Sequence, residues 1–343
     1  MKKLLYVLLF LILIAAIAGF YLYNSVWASN VSIQDETADL YIPTGSNFSD
    51  LKNILESENM IENLGSFELT AKLMKYNDSS VKSGLYEIKK DWSNRQLIKH
   101  LRIGKQKPVN LTFNNFRTIE ELIGAISRQV ESDSISLLNY VTEQSFLDTL
   151  QISRDELLCQ FLPNTYEVYW NTSIDKLVGK LLKEKEKFWS ANNRIEKAQS
   201  LNLSPTEVCI LASIVEKETL VADEKNTVAG VYLNRLKRNI MLQADPTVVY
   251  AVGDFSIRRV LNKHLEFDSP YNTYRYEGLP PGPIYLPDNN TVDAVLNPEE
   301  HSYLYFCAKP DNSGRHAFAK NLIDHNKNAR TYQNWLNKRG IRK

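Results

Sequence analysis

The sequence predicts an α+β protein that follows a single membrane-spanning helix. Three observations predict this class. An uncharged apolar run opens the chain, short alternating strand patterns occur between segments with helical periodicity, and the composition is that of a globular protein. Of the 343 residues, 43% are hydrophobic and 24% are charged, which favours a folded chain over a disordered one. This length allows two modest domains or one large one.

The amino terminus predicts a membrane anchor. Lys2 and Lys3 precede an apolar run from Leu4 to Tyr23, which is about the length that crosses a bilayer core. A cleaved signal peptide is the alternative, because Ala16-Ile17-Ala18 has the spacing of a cleavage site, but a signal's apolar region is usually only ~7 to 15 residues long. Because lysines favour the cytoplasmic side, we expect residues 1–30 to form a cytoplasmic amino terminus and a single-pass anchor in the inner (cytoplasmic) membrane. The rest of the chain would then be extracytoplasmic.

Two folded regions are expected after the anchor. Residues 31–106 read as a stalk and a small α+β module, with strand patterns at 40–42 and 84–88 and a helix that Ser93 caps and Gly104 ends. Residues 107–343 read as a larger, mixed α+β domain. It begins with a strand at 109–113 and a helix that the capping box Thr118-Ile119-Glu120-Glu121 starts. Mostly helical sequence then runs to about residue 200, interrupted at 161–166 by an aromatic, proline-containing loop. A further helix is predicted from the spacing of Val228, Val231, Tyr232 and Arg235, and a polar turn is predicted at 243–247.

Charge and cysteine content exclude several function classes. Lys and Arg number 41 against 40 Asp and Glu, so no basic face is expected and nucleic acid is not predicted as a partner. The cysteines lack metal-ligand or redox spacing and are predicted to be core residues: Cys159, Cys209 and Cys307. Neither His316 nor His325 belongs to a ligand-spaced cluster, and no phosphate-binding or dinucleotide motif occurs. We therefore predict no metal and no cofactor.

The strongest local signal is a helix that carries acidic residues at its end. Ser204-Pro205-Thr206-Glu207 combines a capping serine, a proline at the first helical position and a glutamate at the third, so a helix begins there. It continues into Glu216-Lys217-Glu218-Thr219. At about 100° per residue, the side chain of Glu218 falls between those of Leu211 and Ile214, on the most apolar arc.

That position gives Glu218 a possible chemical role. An apolar environment penalises the carboxylate more than the neutral acid, which raises the pKa and leaves a proton available near neutral pH. Such a group can protonate a leaving oxygen. The alternative is that Glu218 only ends the helix and pairs with a lysine or an arginine, as many glutamates at helix ends do.

A proline-rich loop follows. Five of the chain's 12 prolines lie between Pro270 and Pro287, so this segment is expected to be stiff although it lacks regular structure. Tyrosine rings and asparagine amides suit sugars, which present apolar faces and hydroxyl groups. A wrapped surface loop with buried tyrosines is an equal alternative. A β-hairpin is predicted from 303–308 to 316–318.

Four motifs, taken in order, resemble those of the MltG (YceG-like) endolytic murein transglycosylases. They are LASIVEKET at 211–219, QADPTV at 243–248, YNTY at 271–274 and GLPPG at 278–282. The resemblance covers nearly the whole chain, and it implies that residues 31–106 contain a LysM-like module and that residues 107–343 form a YceG-like catalytic domain. One departure is Asn114-Asn115, where many relatives carry a Glu-Gly pair.

The resemblance implies a lyase that acts on peptidoglycan glycan strands. Such enzymes cleave the bond between N-acetylmuramic acid and N-acetylglucosamine without water and leave 1,6-anhydromuramic ends. The family's catalytic acid corresponds to Glu218. Ordinary glycosidases need two carboxylates, whereas here the muramyl 6-hydroxyl is the nucleophile and one acid suffices. The resemblance also makes murein synthases expected partners and implies a role in terminating nascent strands.

Further site residues are expected. The Glu218-Thr219 pair is similar to the Glu-Ser pair of soluble lytic transglycosylases, and this similarity implies that Gln243 and Asn272 are glycan-binding amides. Tyr271, Tyr274 and Asp245 are further candidates for lining the glycan groove, although Asp245 is equally suited to cap a turn. Two other functions remain open at this point. A hydrolytic muramidase would need Asp245, Glu167 or another acid to position water, and a membrane-tethered glycan-binding scaffold would have lost its activity.

Overall fold

A computed structural model of the chain describes residues 2–339, which divide into two compact units. The first unit comprises the chain up to Leu111 together with Gln129–Ser132 and Tyr166–Ser173. The second comprises Thr112–Arg128, Asp133–Thr165 and the chain from Ile174 onward. Helices and short strands occur together, which confirms the predicted α+β class. The predicted domain limits, 31–106 and 107–343, stay predictions.

The first unit begins with the apolar helix and continues as strands and helices in alternation. Its elements are α1 (Lys2–Trp27), β1 (Thr37–Ile42), α2 (Phe48–Ser57), α3 (Leu64–Leu73), β2 (Gly84–Lys89), α4 (Asn94–Ile103) and the first part of β3 (Pro108–Phe113). Strands β1 and β2 pair antiparallel, with Leu40 opposite Tyr86. These two side chains are fully buried, and so are Phe67 and Leu97. The strands and helices predicted between residues 40 and 104 are all present.

Helix α1 has 26 residues and is long and apolar enough to cross a membrane. Almost all of its side chains are exposed. Its last turn contacts α3 and α4, where the carbonyl oxygen of Ser25 accepts hydrogen bonds from Thr70 Oγ1 at 2.8 Å and from Asn94 Nδ2 at 2.9 Å. The helix is therefore joined to the folded part of its unit by buried hydrogen bonds.

The second unit is mostly helical. Its elements are α5 (Ile119–Ser127), α6 (Ser134–Thr142), α7 (Gln144–Leu150), the start of β4 (Asn164–Tyr169), α8 (Ile174–Ser190), α9 (Arg194–Ser200), α10 (Pro205–Glu218), α11 (Lys225–Leu236), α12 (Asp245–Val252), α13 (Asn262–Leu265), α14 (Asn289–Leu296), β5 (Tyr305–Ala308), β6 (His316–Ala319) and α15 (Leu322–Lys338). Strands β3 and β4 form one two-stranded sheet. The predicted hairpin is present as antiparallel β5 and β6.

Helix α10 lies at the centre of the second unit. Ser204 caps it with both halves of the predicted capping box, and Pro205 occupies its first turn. The helix packs against α9, α11, α12 and α14. Val208, Leu211 and Ile214 are fully buried, and each such side chain contributes roughly 1.5–3 kcal/mol relative to an exposed one. The carboxyl end of α10 is therefore held in one position by its core.

One predicted loop is a strand. The segment 161–166 was expected to be an irregular aromatic loop, but regular structure resumes at Asn164 with β4. Tyr166 and Val168 are buried, while the residues between and beside them are exposed. This two-residue alternation is typical of a strand. The sequence pattern did not predict this strand, because Pro163 lies just before it and proline is typical of loops.

Two predicted boundaries are also different. Thr118 caps α5 through the amide of Glu121, but the Glu121 carboxylate accepts from the amide of Arg117 at 2.9 Å, so the capping box is incomplete. The segment 243–247 was expected to be a turn, yet α12 already begins at Asp245. Proline 246 is favourable there because the first helical residues need no amide donor.

The proline-rich loop, between Leu265 and Asn289, is irregular as predicted, and it is attached to α10. Its Ile284 amide donates to Ser213 Oγ at 3.0 Å, inside the core. At Gly282 the loop approaches another segment so closely that a β-carbon would lie 2.2 Å from the carbonyl oxygen of Asp155. Only glycine allows this approach, so the loop's path depends on it.

We expect Gly282→Ala to destabilise the protein by about 1–3 kcal/mol, because the backbone oxygen of Asp155 cannot move aside as a flexible side chain would. Thermal unfolding of the full chain in detergent measures this. Gly179→Ala is the matched control, since Gly179 lies within α8 and, beyond the backbone of its own helix, nothing lies within 4 Å of its β-carbon position. That substitution should be neutral or stabilising, by about 0.5–1 kcal/mol. Equal effects of the two alanines would contradict the argument.

Candidate active site

The last residue of α10 is Glu218, and its carboxyl group is held by the neighbouring helix. Its Oε1 accepts a hydrogen bond from the hydroxyl of Tyr232 at 2.6 Å. Tyr232 lies on α11, is 1% exposed and packs edge-on against Phe306 of β5. The hydroxyl that positions Glu218 is therefore itself fixed by the core.

Burial controls the protonation of Glu218. The residue keeps some exposed surface, but its carboxyl group is enclosed by protein. Desolvation raises its pKa from 4.5 to about 7; the hydrogen bond from Tyr232 and the charge of Arg235 act against this, while the charge of Asp245 acts with it. The carbonyl end of α10 disfavours a negative charge as well. Near neutral pH, both the acid and the carboxylate are populated.

Two cavities meet at Glu218 and Asp245. The hairpin cavity has a volume of about 390 Å³, and its lining includes Gln243, Tyr274, Tyr305, Phe306, His316 and His325. The basic cavity has a volume of about 410 Å³, and its lining includes Arg117, Lys217, Tyr250, Phe255, Arg258 and Arg259. Both volumes lie in the range of ligand-binding clefts. The acid therefore borders two ligand-sized spaces.

Three of the predicted glycan-binding residues lie in the hairpin cavity beside Glu218. The hydroxyl of Tyr274 donates to Asp245 Oδ1 at 2.6 Å, and burial, together with this carboxylate, raises the pKa of Tyr274. Gln243 has a left-handed backbone, with φ of +50°. Its backbone N–H donates to the carbonyl oxygen of Thr273 at 3.1 Å. The structure thus brings Gln243, Asp245 and Tyr274 together with the acid.

A buried pair of threonines joins the two segments that carry these residues. The hydroxyls of Thr247 and Thr273 lie 2.8 Å apart, and the Thr273 hydroxyl also accepts from the amide of Ala244 at 3.0 Å. Both threonines are at most 1% exposed. This contact fixes the beginning of α12, and therefore Asp245, against the proline-rich loop.

The other two candidates lie elsewhere. Asn272 has no exposed surface, and its amide donates to the carbonyls of Leu265 at 2.9 Å and Phe267 at 2.8 Å. It therefore supports the loop from within, contrary to the expectation that its amide contacts glycan. Tyr271 packs against Tyr250, with ring centroids 4.8 Å apart, and lines a smaller cavity of about 160 Å³ next to Asp155. Neither residue lines the hairpin cavity or the basic cavity.

The sequence reasoning missed several residues of the hairpin cavity. Arg235 is buried and donates to the carbonyls of Leu304 at 2.7 Å and Leu242 at 2.8 Å, so it holds two cavity walls. His316 is held by the buried carboxylate of Glu224 at 3.0 Å. The spacing of Tyr232 and Arg235 on one predicted helix was the available sequence signal for the cavity wall that α11 forms. The hairpin residues reach the cavity through contacts between segments far apart in sequence, which no local pattern shows.

Among the cysteines, two are buried as predicted, but Cys307 is half-buried and lines the hairpin cavity. The prediction of a core position for Cys307 is therefore wrong. It lies in β5, whose four residues are all half-buried, because the strand faces this cavity.

Glu216, the other acid of the motif, has a structural partner. Its carboxylate forms a buried ion pair with Lys225, at 3.0 Å from both oxygens, and accepts from the hydroxyl of Thr291. This contact connects α10, α11 and α14. Glu167 belongs to β4, is exposed and lines neither cavity. Asp245 is thus the only one of the two named alternative acids that lies beside Glu218.

The model of the YceG-like family matches residues 40–331. This chain belongs to the YceG-like family. The match confirms the resemblance inferred from the four motifs. An endolytic murein transglycosylase of Bacillus subtilis (strain 168) is 28% identical over 334 residues, which cover 92% of this chain and 91% of the relative.

Two further comparisons agree with this family assignment. An endolytic murein transglycosylase of Streptococcus pneumoniae serotype 2 (strain D39) is 28% identical over 362 aligned positions; the match covers 95% of this chain but only 64% of that relative. A 2.6 Å crystal structure of a YceG-like protein from Listeria monocytogenes has a TM-score of 0.55 and 29% identity. It covers 86% of this chain and 99% of its own.

Asn115, of the Asn114-Asn115 pair, links two segments of this chain. Its amide donates to the carbonyl of Leu286 at 2.8 Å and to Asp288 Oδ1 at 3.0 Å. The segment after β3 is thereby tied to the end of the proline-rich loop. These two hydrogen bonds give Asn115 a structural role.

The raised pKa of Glu218 makes folding depend on pH. The folded state binds the proton more tightly than the unfolded state, so stability falls as pH rises from 4.5 to about 7. The difference corresponds to on the order of 3 kcal/mol above this window. We expect Glu218→Gln to raise the free energy of unfolding at pH 8, with little effect at pH 4.5.

Chemical denaturation of wild type and variant across this pH range measures the effect. Glu277→Gln is the control, because Glu277 is exposed and lines neither cavity. A constant difference between Glu218→Gln and wild type at every pH would show that Glu218 has an ordinary pKa.

Proposed function

We propose that this chain is an endolytic murein transglycosylase and that Glu218 is its catalytic acid. The observation that carries the proposal is a buried carboxyl group, with its pKa raised to about 7, where two ligand-sized cavities meet. A general acid works best when its pKa lies near the working pH. The family and the names of the relatives supply the substrate class, peptidoglycan glycan.

In the first step, neutral Glu218 protonates the glycosidic oxygen between muramic acid and N-acetylglucosamine. Tyr232 donates to Oε1, which leaves Oε2 to carry the proton towards the substrate. The C–O bond breaks, and the glucosamine hydroxyl leaves. The hydrogen bond from Tyr232 and the charge of Arg235 then stabilise the carboxylate that remains.

In the second step, the Glu218 carboxylate removes the proton of the muramyl 6-hydroxyl as that oxygen attacks the anomeric carbon. The 1,6-anhydro ring closes and Glu218 is again neutral. The substrate provides the nucleophile, so no second carboxylate has to activate water. One acid whose two protonation states are close in energy serves both steps.

The cavity arrangement supports cleavage within a strand. An endolytic enzyme must hold sugars on both sides of the bond that breaks, and Glu218 lines two separate cavities. In the hairpin cavity, Gln243, Asp245 and Tyr274 offer polar groups to sugar hydroxyls, and Tyr305 offers a ring for a sugar face. These residues form the proposed glycan-binding surface there.

We place the enzyme at the cytoplasmic membrane, with α1 as a single-pass anchor and the catalytic unit on the extracytoplasmic side. The supporting features are the apolar length of α1 and the two lysines before it. The strand–helix–helix–strand order from β1 to β2 supports a LysM-like module. A tethered enzyme that cuts glycan near the membrane is suited to ending nascent strands beside murein synthases.

Glu218→Gln tests the catalytic assignment. The amide keeps the shape and the Tyr232 contact but has no proton to donate, so we expect the formation of anhydro ends to fall at least about 10²-fold. Mass spectrometry of products from purified sacculi measures it, because anhydro ends are one water lighter than reducing ends. Wild-type products with reducing ends would mean hydrolysis, with Asp245 as the first residue to examine. Glycan binding by wild type without cleavage would favour a scaffold.

Glu216→Gln is the control within the same motif. It leaves Lys225 without its charge partner, so it should lower the melting temperature, while activity per folded molecule stays much closer to wild type. Activity of Glu218→Gln within a few-fold of wild type would overturn the assignment.

The pH profile tests the environment of the acid. We expect wild-type kcat/KM to fall above about pH 7, as free Glu218 loses its proton. Tyr232→Phe removes a hydrogen bond that favours the carboxylate, so this limb should move to higher pH. Asp245→Asn removes a charge that disfavours the carboxylate, so the limb should move to lower pH. Shifts of both variants in one direction would contradict the assignment of the limb to Glu218.

A further inference from the structure

The basic cavity has a charge pattern that the cleavage reaction does not require. Its lining contains four cationic residues: Arg117, Lys217, Arg258 and Arg259. The only carboxylates in that lining are Glu218 and Asp245, at the junction with the other cavity. Glu218 is partly neutral near pH 7, so the cavity has a net positive charge although the whole chain is close to neutral, at +1.

Aromatic rings, not carboxylates, hold two of these cations. The guanidinium of Arg117 lies 4.4 Å from the ring centre of Phe255, and the ammonium of Lys217 lies 4.5 Å from that of Tyr285. Within residues 2–339, none of the four cations lies within 4.0 Å of a carboxylate oxygen as an ion pair. Cation–π contacts orient a cation and leave its charge uncompensated.

The electrostatics of Lys217 are consistent with this. Burial lowers its pKa, and the charge of Arg117 lowers it further. Two cations that repel each other beside a cavity cost free energy when the cavity is empty, and they bind an anion more strongly for the same reason. Arg258 and Arg259 are exposed on the segment between α12 and α13, so their planar donor groups are accessible to a bound anion.

We propose that the basic cavity binds carboxylate groups of the glycan substrate and makes this enzyme selective for anionic strands. The proposal rests on the proposed function. Its ligand chemistry has two sources in peptidoglycan: the carboxyl of the muramic lactyl group, which is free where the stem peptide has been removed, and the carboxylates of the stem peptide where it is present. Arginine suits either source, since its fork of donors matches a carboxylate.

The position of the cavity explains how this selectivity acts. Lys217 is next to Glu218 in the chain, and both line the basic cavity. An anion held there lies close to the bond that breaks. Binding of this carboxylate group therefore positions the sugar chain against Glu218, although the carboxylate takes no part in the bond cleavage.

The test is the double variant Arg258→Gln with Arg259→Gln, in the full chain in detergent. The matched control is Lys237→Gln with Arg238→Gln, which removes the same charge from exposed residues that line neither cavity. Three glycan substrates of equal length are compared: strands with stem peptides, strands without them, and strands whose carboxyl groups have been converted to amides. The readout is KM and kcat for the formation of anhydro ends.

We expect the Arg258 and Arg259 variant to raise KM about tenfold on carboxylate-bearing strands, with a much smaller change in kcat. The difference from wild type should shrink as salt is added and disappear on the amide-converted strands. A rise in KM only on stem-bearing strands assigns the peptide carboxylates as the ligand. A rise only on stem-free strands assigns the lactyl carboxylate.

Two results would overturn the proposal. One is an unchanged KM on both kinds of carboxylate-bearing strand. The other is an equal rise on the amide-converted strands, which would mean that the arginines contact the sugar or shape the loop. Failure of the proposed function is distinguishable, since wild type would then produce no anhydro ends from any strand. Binding of the same strands by the Glu218→Gln protein, with and without the arginine substitutions, measures the cavity independently of cleavage.

Discussion

The site depends on keeping one carboxyl group out of water at the end of a well-packed helix. Glu218 can be buried there because α10 is fixed by its apolar neighbours and because Tyr232 occupies one carboxyl oxygen. The interactions that set the pKa of Glu218 act in opposite directions. Desolvation and Asp245 favour the neutral form, whereas Tyr232 and Arg235 favour the carboxylate. A group that must give a proton and then take one back benefits from this balance, and the fold loses some stability to maintain it.

Much of the molecule serves to position this acid indirectly. The Glu216–Lys225 ion pair joins three helices beneath it, and Ser213 holds the proline-rich loop through the amide of Ile284. Asn272 uses its whole amide inside that loop. Motif residues that look like ligand contacts in the sequence therefore divide into those that face the cavities and those that shape the loops behind them.

The sequence predicted best where the physical signal is local. The capping box at Ser204 and the 3.6-residue periodicity of α10 located the helix and the apolar setting of Glu218, because both depend only on neighbouring residues. Strand β4 was missed since Pro163 resembles a loop signal. The hairpin that carries Tyr305, Phe306 and His316 was predicted, but its place in the cavity was not, because it comes beside α11 through contacts between residues far apart in sequence. Tyr271 and Asn272 were recognised as motif residues, but one-dimensional spacing cannot show which side of a loop faces a cavity.

The paired hydroxyls of Thr247 and Thr273 limit which residues can replace them. Each hydroxyl also has a backbone partner in Ala244: Thr247 donates to its carbonyl oxygen at 2.7 Å, and Thr273 accepts from its amide at 3.0 Å. An apolar residue at position 273 therefore leaves the buried amide of Ala244 without an acceptor. Valine has the shape of threonine but lacks its hydroxyl, so size and shape alone do not decide which residues this position accepts.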